Sequence, residues 1–333
     1  MAAVTPFTDE QARALINMRM AYDAWLDAER GLRGLPYDLR RKTVGGRAYL
    51  YEISGREGTG RSLGRWDEAK AIQMAAYREE KQGLKQRSEG ARARLDEVSR
   101  LARALRLPML SSEAGSILRE ADSRGMLGSD LLVIGTSCMA AYAQEAAGFI
   151  AGAPDETEDF DLAWVAERAS SDVLLWNALK AVDSTFTVNT ERDFQARNAK
   201  AYEVELLVAP SRAHTLGKAD KPRPVPLPEQ EWLLLGTFVD QVVPCRDGSP
   251  ARIVAPDPRW FALHKLWLAK KPARNPLKRP KDRKQGMALL NAVAQAMPQF
   301  PLDAAFAAAI PPELAEQWRD WHVQRSAAPS PRW

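Results

Sequence analysis

The chain has 333 residues, of which 45% are apolar by type, and a formal net charge of +4 at pH 7. A chain of this length and composition can bury the cores of two or three domains, which excludes wholesale disorder. None of its apolar runs reaches the roughly 20 residues that a membrane-spanning helix needs, and the modest net charge does not by itself indicate a nucleic-acid partner.

The N-terminus and the cysteines predict a cytoplasmic protein with no membrane partner. Residues 1–6 lack the charged-then-apolar layout of a signal peptide. The two cysteines, Cys138 and Cys245, each lie in an apolar stretch that is expected to be buried, so a disulfide framework is not expected.

Residues 1–105 are predicted to form a helical accessory region with an inserted basic β-hairpin. A capping-box-like start at 8–11 precedes a helical apolar pattern over 12–29. Residues 47–53 alternate like a strand, and 61–64 return as a short second strand after a turn. From 66 to about 105 the spacing predicts a long charged helix.

The hairpin mixes aromatic and basic side chains, namely Arg47, Tyr49, Tyr51, Arg56, Arg61 and Arg65. This mixture is typical of nucleic-acid-binding hairpins. The alternative is that the tyrosines pack on the long helix, and the sequence leaves both interpretations open.

Residues 106–255 alternate between helical and strand patterns, which predicts an α/β domain. The predicted helices are 111–124, 136–148 and 169–182, and the predicted strands are 131–134, 160–164, 186–188 and 201–208. A polar loop is expected over 152–158.

Residues 256–325 are predicted to be a C-terminal helical domain, and 326–333 a disordered tail. Helices are expected from Pro258 to Lys270 and over 280–297. Between Lys265 and Lys284 nine lysines and arginines face one acid, Asp282. This cluster favours an anionic partner such as a triphosphate or a nucleic acid.

Gly135, Thr136 and Ser137 join the apolar strand 131–134 directly to a helix. Small residues at such a junction allow backbone amides to approach a phosphate, although a glycine here also serves close packing. Asp159 and Asp161 follow two residues apart on the next strand, so both carboxylates point to one face and suit magnesium. A solvated acidic loop is the alternative.

Residues 202–208 form a strand with Glu203 and Glu205 on one face. A carboxylate on a neighbouring strand would complete a two-metal site. Glu205 is preferred because it adjoins the most apolar part of the strand, with Glu203 as its competitor and an exposed edge-strand face as the plain alternative.

The order of these motifs resembles the polymerase-beta-like nucleotidyltransferase superfamily, and most closely a bacterial family of uncharacterised nucleotidyltransferase-fold proteins. The similarity covers about 110–295 and rests on Ile134-Gly135-Thr136, Ala140-Ala141-Tyr142-Ala143, the segment 157–164, Pro256-Asp257-Pro258, residues 262–266, Lys281-Asp282 and Gln285.

The resemblance implies an α/β (α+β) fold, a mixed sheet with flanking helices that binds a nucleoside triphosphate such as ATP together with Mg²⁺ or Mn²⁺. Asp159, Asp161 and Glu205 would be the catalytic and metal-binding carboxylates. Gly135, Thr136 and Ser137 would contact the phosphates, and Lys265 or Lys281 could add a positive charge. His264 is expected to be a satisfied structural histidine.

We therefore expect a metal-dependent nucleotidyltransferase that moves a nucleoside monophosphate to an acceptor hydroxyl. The basic clusters favour RNA or protein over a small molecule as the acceptor. An inactive member of the fold that binds nucleic acid, and a toxin or defence effector of the same fold, are the alternatives.

Overall fold

The structure is a computed structural model that describes residues 2–154, 159–169 and 173–327, with 326 and 327 as backbone only. Two compact units emerge from it, one made of Met1–Ile16 with Ser99–Trp333 and the other of Asn17–Val98. The sequence-based division instead sets its boundaries at residues 105 and 255. β1 (Val4–Pro6) pairs with β6 (Gly148–Ile150), which is why the first residues belong to the larger unit.

The other described strands are β2 (Asp38–Val44), β3 (Arg47–Ile53), β4 (Gly60–Arg65), β5 (Leu131–Ile134), β7 (Asp159–Trp164), β8 (Thr187–Val188), β9 (Gln195–Arg197), β10 (Glu203–Val208), β11 (Val225–Pro226), β12 (Val239–Val243) and β13 (Ala251–Ala255). The α-helices are α1 (Asp9–Gly34), α2 (Glu68–Ala104), α3 (Ser112–Ser123), α4 (Cys138–Glu145), α5 (Leu174–Val182), α6 (Pro258–Lys270), α7 (Arg279–Ala296), α8 (Ala304–Ala308) and α9 (Ala315–Ala327). Short 3-10 helices occur at Pro210–Arg212, Pro228–Leu234 and Pro312–Leu314.

The smaller unit carries a three-stranded antiparallel sheet in the order β2-β3-β4. The sequence pattern predicts only β3 and β4. β2 was missed because its three consecutive cations, at positions 40 to 42, hide the alternation of a strand. Leu39 of β2 and Leu50 of β3 pack with Tyr77 of α2, so this face of the sheet forms the unit's core.

The larger unit is built on a six-stranded mixed sheet in the order β5-β7-β10-β9-β8, with β11 also paired to β10. β7 and β10 run parallel, whereas β5 is antiparallel to β7. All four residues of β5 are buried, and one large hydrophobic cluster joins the sheet to α3 through α7. The predicted mixed α/β fold is confirmed.

Helices α6 and α7 pack closely, and glycine makes that approach possible. A Cβ at Gly286 of α7 would lie 2.8 Å from the Ala262 carbonyl oxygen and 2.7 Å from Leu266 Cγ of α6. The N-cap of α6 is Asp257, whose carboxylate accepts from the backbone N–H of Arg259. This pair of helices supplies the basic residues discussed below.

Several elements depart from the sequence expectations. α4 ends at Glu145, not 148, and is followed by Ala147 with a φ of +48° and by β6 from Gly148. β9, β12 and β13 were not predicted. α9 continues to Ala327, into the expected tail. Residues 155–158 of the polar loop, 170–172 of the predicted helix, and 328–333 of the tail lie outside the described residues.

Two other expectations concern the cysteines and the membrane. Cys138 and Cys245 are both buried free thiols, as predicted. Among the described helices none is both long and apolar enough to cross a membrane.

We predict that Gly286→Ala lowers the free energy of unfolding by about 1–3 kcal/mol, because the added methyl overpacks the α6–α7 contact. Chemical denaturation followed by circular dichroism measures the change. Gly90→Ala is the control, since nothing lies within 4 Å of a Cβ at this α2 position and alanine favours a helix. An equal loss in both variants would contradict the packing argument.

Candidate functional site

Four carboxylates lie on one face of the parallel strands β7 and β10. The register sets Asp159 opposite Glu203 and Asp161 opposite Glu205, while the residues between them are buried on the other face. Like charges directly opposite each other repel. This face is therefore built to attract cations.

Asp161 lies against the turn that follows β5. Ile134 pairs with Asp161, and the next residue, Gly135, has a φ of +75°. A Cβ at Gly135 would come within 2.1 Å of Asp161 Oδ2. Both the left-handed backbone and the close carboxylate therefore require glycine here.

The pKa of Asp161 is raised to about 6 by its burial, and next by the negative charge of Glu205. Lys265 acts in the opposite direction by favouring the charged form. At neutral pH the folded protein thus holds an ionised carboxylate in surroundings that disfavour its charge.

Glu205 and Glu203 differ in their partners. Glu205 accepts a hydrogen bond from Gln195 Nε2 of β9 and lines a cavity together with Asp161. Glu203 instead forms an ion pair with Arg197 and is not among the residues that line this cavity. Of the two candidates, Glu205 is the one that shares a cavity with Asp161.

Asp159 forms an ion pair with Lys278, whose Nζ lies 3.1 Å from Asp159 Oδ2. Lys278 is the N-cap residue of α7 and comes from the basic cluster. The motifs in the sequence indicate Lys265 and Lys281 of that cluster, but not Lys278. No local pattern pairs residues 119 positions apart.

The donor chemistry of this face suits a hard divalent cation. Mg²⁺ is usually held by one or two carboxylates, with phosphates and waters as its other ligands. Asp161 and Glu205, on paired positions beside the Gly135 turn, supply such oxygens. Within the described residues, however, no group of three His, Cys, Asp or Glu side chains is arranged to hold a metal. The expected convergence of three carboxylates stays a prediction.

Of the three residues in the Gly-Thr-Ser segment, only the glycine reaches the cavity that contains Asp161 and Glu205. Gly135 lines the cavity, whereas Thr136 and Ser137 are buried and do not. The Thr136 hydroxyl accepts a hydrogen bond from Gln285 Nε2, 3.2 Å away, so it connects the turn to α7. Ser137 is the N-cap residue of α4 and makes no side-chain capping bond.

A cavity of about 270 Å³ is lined by two of these four carboxylates, Asp161 and Glu205, whereas Asp159 and Glu203 are not among its described lining residues. Its acidic side contains Asp161, Glu205 and Glu229, and its basic side comes from α6, the following linker and the start of α7. The described lining residues are Ile134, Gly135, Asp161, Glu205, Leu207, Leu227, Glu229, Gln230, Leu233, Phe261, His264, Lys265, Leu268, Lys271, Ala273, Arg274 and Lys278.

Each of the other cavity cations has a carboxylate partner. Lys265 Nζ lies 3.1 Å from Asp282, and Arg274 Nε lies 2.8 Å from the same carboxylate. Lys271 pairs with Glu229. Asp282 is thus the buried anchor of the basic side.

Lys281 takes a different position from Lys265. It is not among the residues that line the cavity, and its pKa is lowered by burial and then by the charge of Lys265. Of the two lysines predicted to meet phosphates, only Lys265 lines the cavity.

His264 is buried, but it is not the satisfied histidine that the sequence suggested. Within the described part of the chain neither ring nitrogen has a hydrogen-bond partner. Burial, and then the charge of Lys265, lowers its pKa to about 3, so the ring is neutral. Gln230 Oε1, on the same cavity, is likewise a buried acceptor with no partner in the described residues.

Comparisons with known proteins identify the family of the chain. The model of a family described as nucleotidyltransferase matches residues 112–311, which is more than half of the chain. The chain belongs to this nucleotidyltransferase family. The resemblance inferred from the motifs is thereby confirmed at the level of the superfamily.

One solved structure also matches. It is a crystal structure of an antigenic nucleotidyltransferase-like protein from Paracoccidioides brasiliensis, with 18% identity over 66% of this chain and 91% of that chain, and a TM-score of 0.39. No curated protein matches the chain.

We predict that Asp161→Asn stabilises the metal-free protein by about 1–3 kcal/mol at pH 8, because it removes a disfavoured charge. The folded-state pKa lies above the unfolded value, so the penalty is present above pH 6 and disappears as Asp161 is protonated at lower pH. The gain should therefore shrink at pH 5 in thermal unfolding experiments.

The matched control is Asp159→Asn, which removes a carboxylate that already has a lysine partner and should not stabilise the protein. Equal stabilisation by both variants, or a gain for Asp161→Asn that does not change with pH, would contradict this account.

Proposed function

We propose that the protein is a Mg²⁺- or Mn²⁺-dependent nucleotidyltransferase that transfers a nucleoside monophosphate from a nucleoside triphosphate to an acceptor hydroxyl. The observation that carries the proposal is one cavity that combines Asp161 and Glu205 with Lys265, Arg274 and Lys278. Carboxylates for a divalent cation and cations for phosphates are the two requirements of this chemistry.

The basic side of the cavity would bind the triphosphate. Lysine and arginine recognise phosphate oxygens through charge-assisted hydrogen bonds. Lys278 now neutralises Asp159, and an incoming phosphate offers it an alternative partner. Nucleotide binding would then break the ion pair between Lys278 and Asp159, so that Asp159 could join the carboxylates beside the metal.

The remaining part of the cavity would hold the nucleoside. Leu227, Leu233 and Phe261 give it apolar walls, and His264 and Gln230 carry the buried polar atoms described above. In small-molecule sites apolar side chains surround the ligand, and a few well-placed polar groups fix its orientation. We propose that these groups orient the nucleoside.

The reaction joins the acceptor oxygen to the α-phosphorus and breaks the bond from that phosphorus to the oxygen bridging the β-phosphorus, so pyrophosphate leaves. The hydroxyl proton must be removed as the bond forms, and Glu205 is the proposed base for it. Gln195, which donates to Glu205, would hold that carboxylate in place. A bound metal would stabilise charge on the attacking and leaving oxygens.

RNA or protein is the favoured acceptor, because the chain concentrates positive charge between Lys265 and Lys284. A macromolecular acceptor also makes the proposal simple to test, since product is retained on a filter. The protein is incubated with each of four α-labelled nucleoside triphosphates, Mg²⁺ or Mn²⁺, and either total RNA or total cell protein.

We expect label in one acceptor pool from the unaltered protein and at least a hundredfold less from Asp161→Asn. Label would identify both the nucleotide and the acceptor class. If folded protein transfers no label but still binds nucleotide, the inactive alternative is favoured. Growth arrest on expression that disappears in Asp159→Ala would favour a toxin.

We also predict opposite effects of Lys278→Met on two ligands. Removing this cation should tighten Mn²⁺ binding to the nucleotide-free protein by about threefold to tenfold, because a positive charge beside Asp159 is lost. Affinity for the triphosphate should fall by a similar factor. Calorimetric titrations measure both.

Lys284→Met is the control, because Lys284 is an exposed cation on the same helix. It should leave both affinities within about twofold. A Lys278 variant in which both affinities fall, or neither changes, would rule out the proposed exchange of partners.

A further inference from the structure

On the outer face of the sheet β2-β3-β4, two rows of side chains run across the three strands, and the central residue of each row is a tyrosine of β3. In the first row Tyr49 of β3 lies between Lys42 of β2 and Arg65 of β4. In the second row Tyr51 lies between Arg40 and Ser62. Directly opposed residues of an antiparallel pair point to the same side, and Tyr49 and Tyr51, two apart on β3, point to the same side as each other. The rows therefore share one face, and a register shift between Leu50 and Tyr51 accommodates the extra residue of β4.

This face is accessible. Arg40, Arg65 and Ser62 are exposed, and both tyrosines are partly exposed. Lys42 Nζ lies 5.2 Å from the centre of the Tyr51 ring, a cation–π contact. The opposite face of the sheet is the one that packs on α2 through Leu39 and Leu50.

The charged residues of this sheet are mostly positive. Residues 38–65 contain seven lysines and arginines against three acids, a surplus equal to the +4 of the whole chain. The acid at the start of β2, Asp38, already pairs with Arg40 at 2.6 Å. The surplus favours a polyanionic partner.

A groove of about 930 Å³ adjoins the second row and shares Arg40 with it. The described residues lining it include one acid, Asp38, and the cations Arg33, Arg40, Arg78, Lys81 and Lys85. Tyr37, which is 48% exposed, also lines it. A nucleic-acid strand that extends beyond the two rows would therefore place its negative phosphates in a positively charged groove.

The spacing of the two tyrosines distinguishes single strands from duplexes. Residues two apart on a strand lie about 7 Å apart, whereas bases in a duplex are about 3.4 Å apart. Bases that contact both rings must therefore be unstacked from each other. Aromatic rings on a cationic surface bind such bases without reading their sequence.

We propose that this tyrosine-centred face of the N-terminal sheet binds single-stranded nucleic acid through base stacking on Tyr49 and Tyr51 and phosphate contacts to the surrounding cations. The site lies wholly within Asn17–Val98. It needs neither a metal nor nucleotidyl transfer, so its test is independent of the proposed function.

The experiment measures fluorescence anisotropy of a labelled 12-nucleotide single-stranded RNA with the full-length protein at several salt concentrations. Single-stranded DNA of the same sequence and a 12-base-pair RNA duplex are run alongside, with polyglutamate as a competitor. We expect both single strands to bind more tightly than the duplex, and polyglutamate to compete poorly.

Two sets of variants separate stacking from charge. Tyr49→Ala/Tyr51→Ala should weaken binding at least tenfold, whereas Tyr49→Phe/Tyr51→Phe, which keeps both rings, should remain within about threefold. Arg40→Gln/Arg47→Gln/Arg65→Gln should weaken binding and lower the salt slope by about 2. These arginines are exposed, so this variant remains informative if the alanine variant fails to fold.

The matched control is Arg87→Gln/Arg92→Gln/Arg94→Gln, which removes the same charge from exposed positions of α2 in the same unit. It should stay within about threefold of the unaltered protein. The proposal is overturned if this control weakens binding as much as the sheet variant, if polyglutamate competes as well as RNA, or if the folded protein binds none of the nucleic acids.

Discussion

The parallel register between β7 and β10 is the constraint on which the site depends. It sets Asp161 beside Glu205 and Asp159 beside Glu203, on the face opposite the core. Because side chains alternate along a strand, a slip of one residue would bury the carboxylates and expose the apolar residues between them. The core therefore holds the acids in place, although they repel each other.

Other parts of the larger unit place a backbone turn and positive charges beside these carboxylates. Gly135 brings a backbone turn against Asp161, and helices α6 and α7 bring cations to the same cavity. Those cations are organised by one buried acid, Asp282, which pairs with Lys265 and Arg274. The charge of Asp161 is disfavoured by its surroundings, and buried polar atoms of His264 and Gln230 have no partner in the described part of the chain. A fold retains such features for function more often than for stability.

The sequence predicted what depends on local pattern. Alternating acids and apolar residues located β7 and β10, and therefore the carboxylate face, while the buried run 131–134 located β5. Contacts between distant segments could not be predicted from local pattern. Nothing in the sequence near Lys278 indicates its ion pair with Asp159, and nothing near Gln285 indicates its hydrogen bond to Thr136. The outer face of the smaller sheet was predicted only in part. The tyrosines of β3 alternate with apolar residues and indicate a strand, whereas the three consecutive cations of β2 do not.

The proposed metal and nucleotide site would be tested by a crystal structure with Mn²⁺ and a nucleoside triphosphate whose α,β-bridging oxygen is replaced by methylene, with the metal located by its anomalous scattering. We expect Mn²⁺ within about 2.0–2.3 Å of Asp161 and of Asp159 or Glu205, with phosphates against Lys265 and Lys278. Metal and nucleotide bound elsewhere, with Lys278 still paired to Asp159, would contradict this proposal.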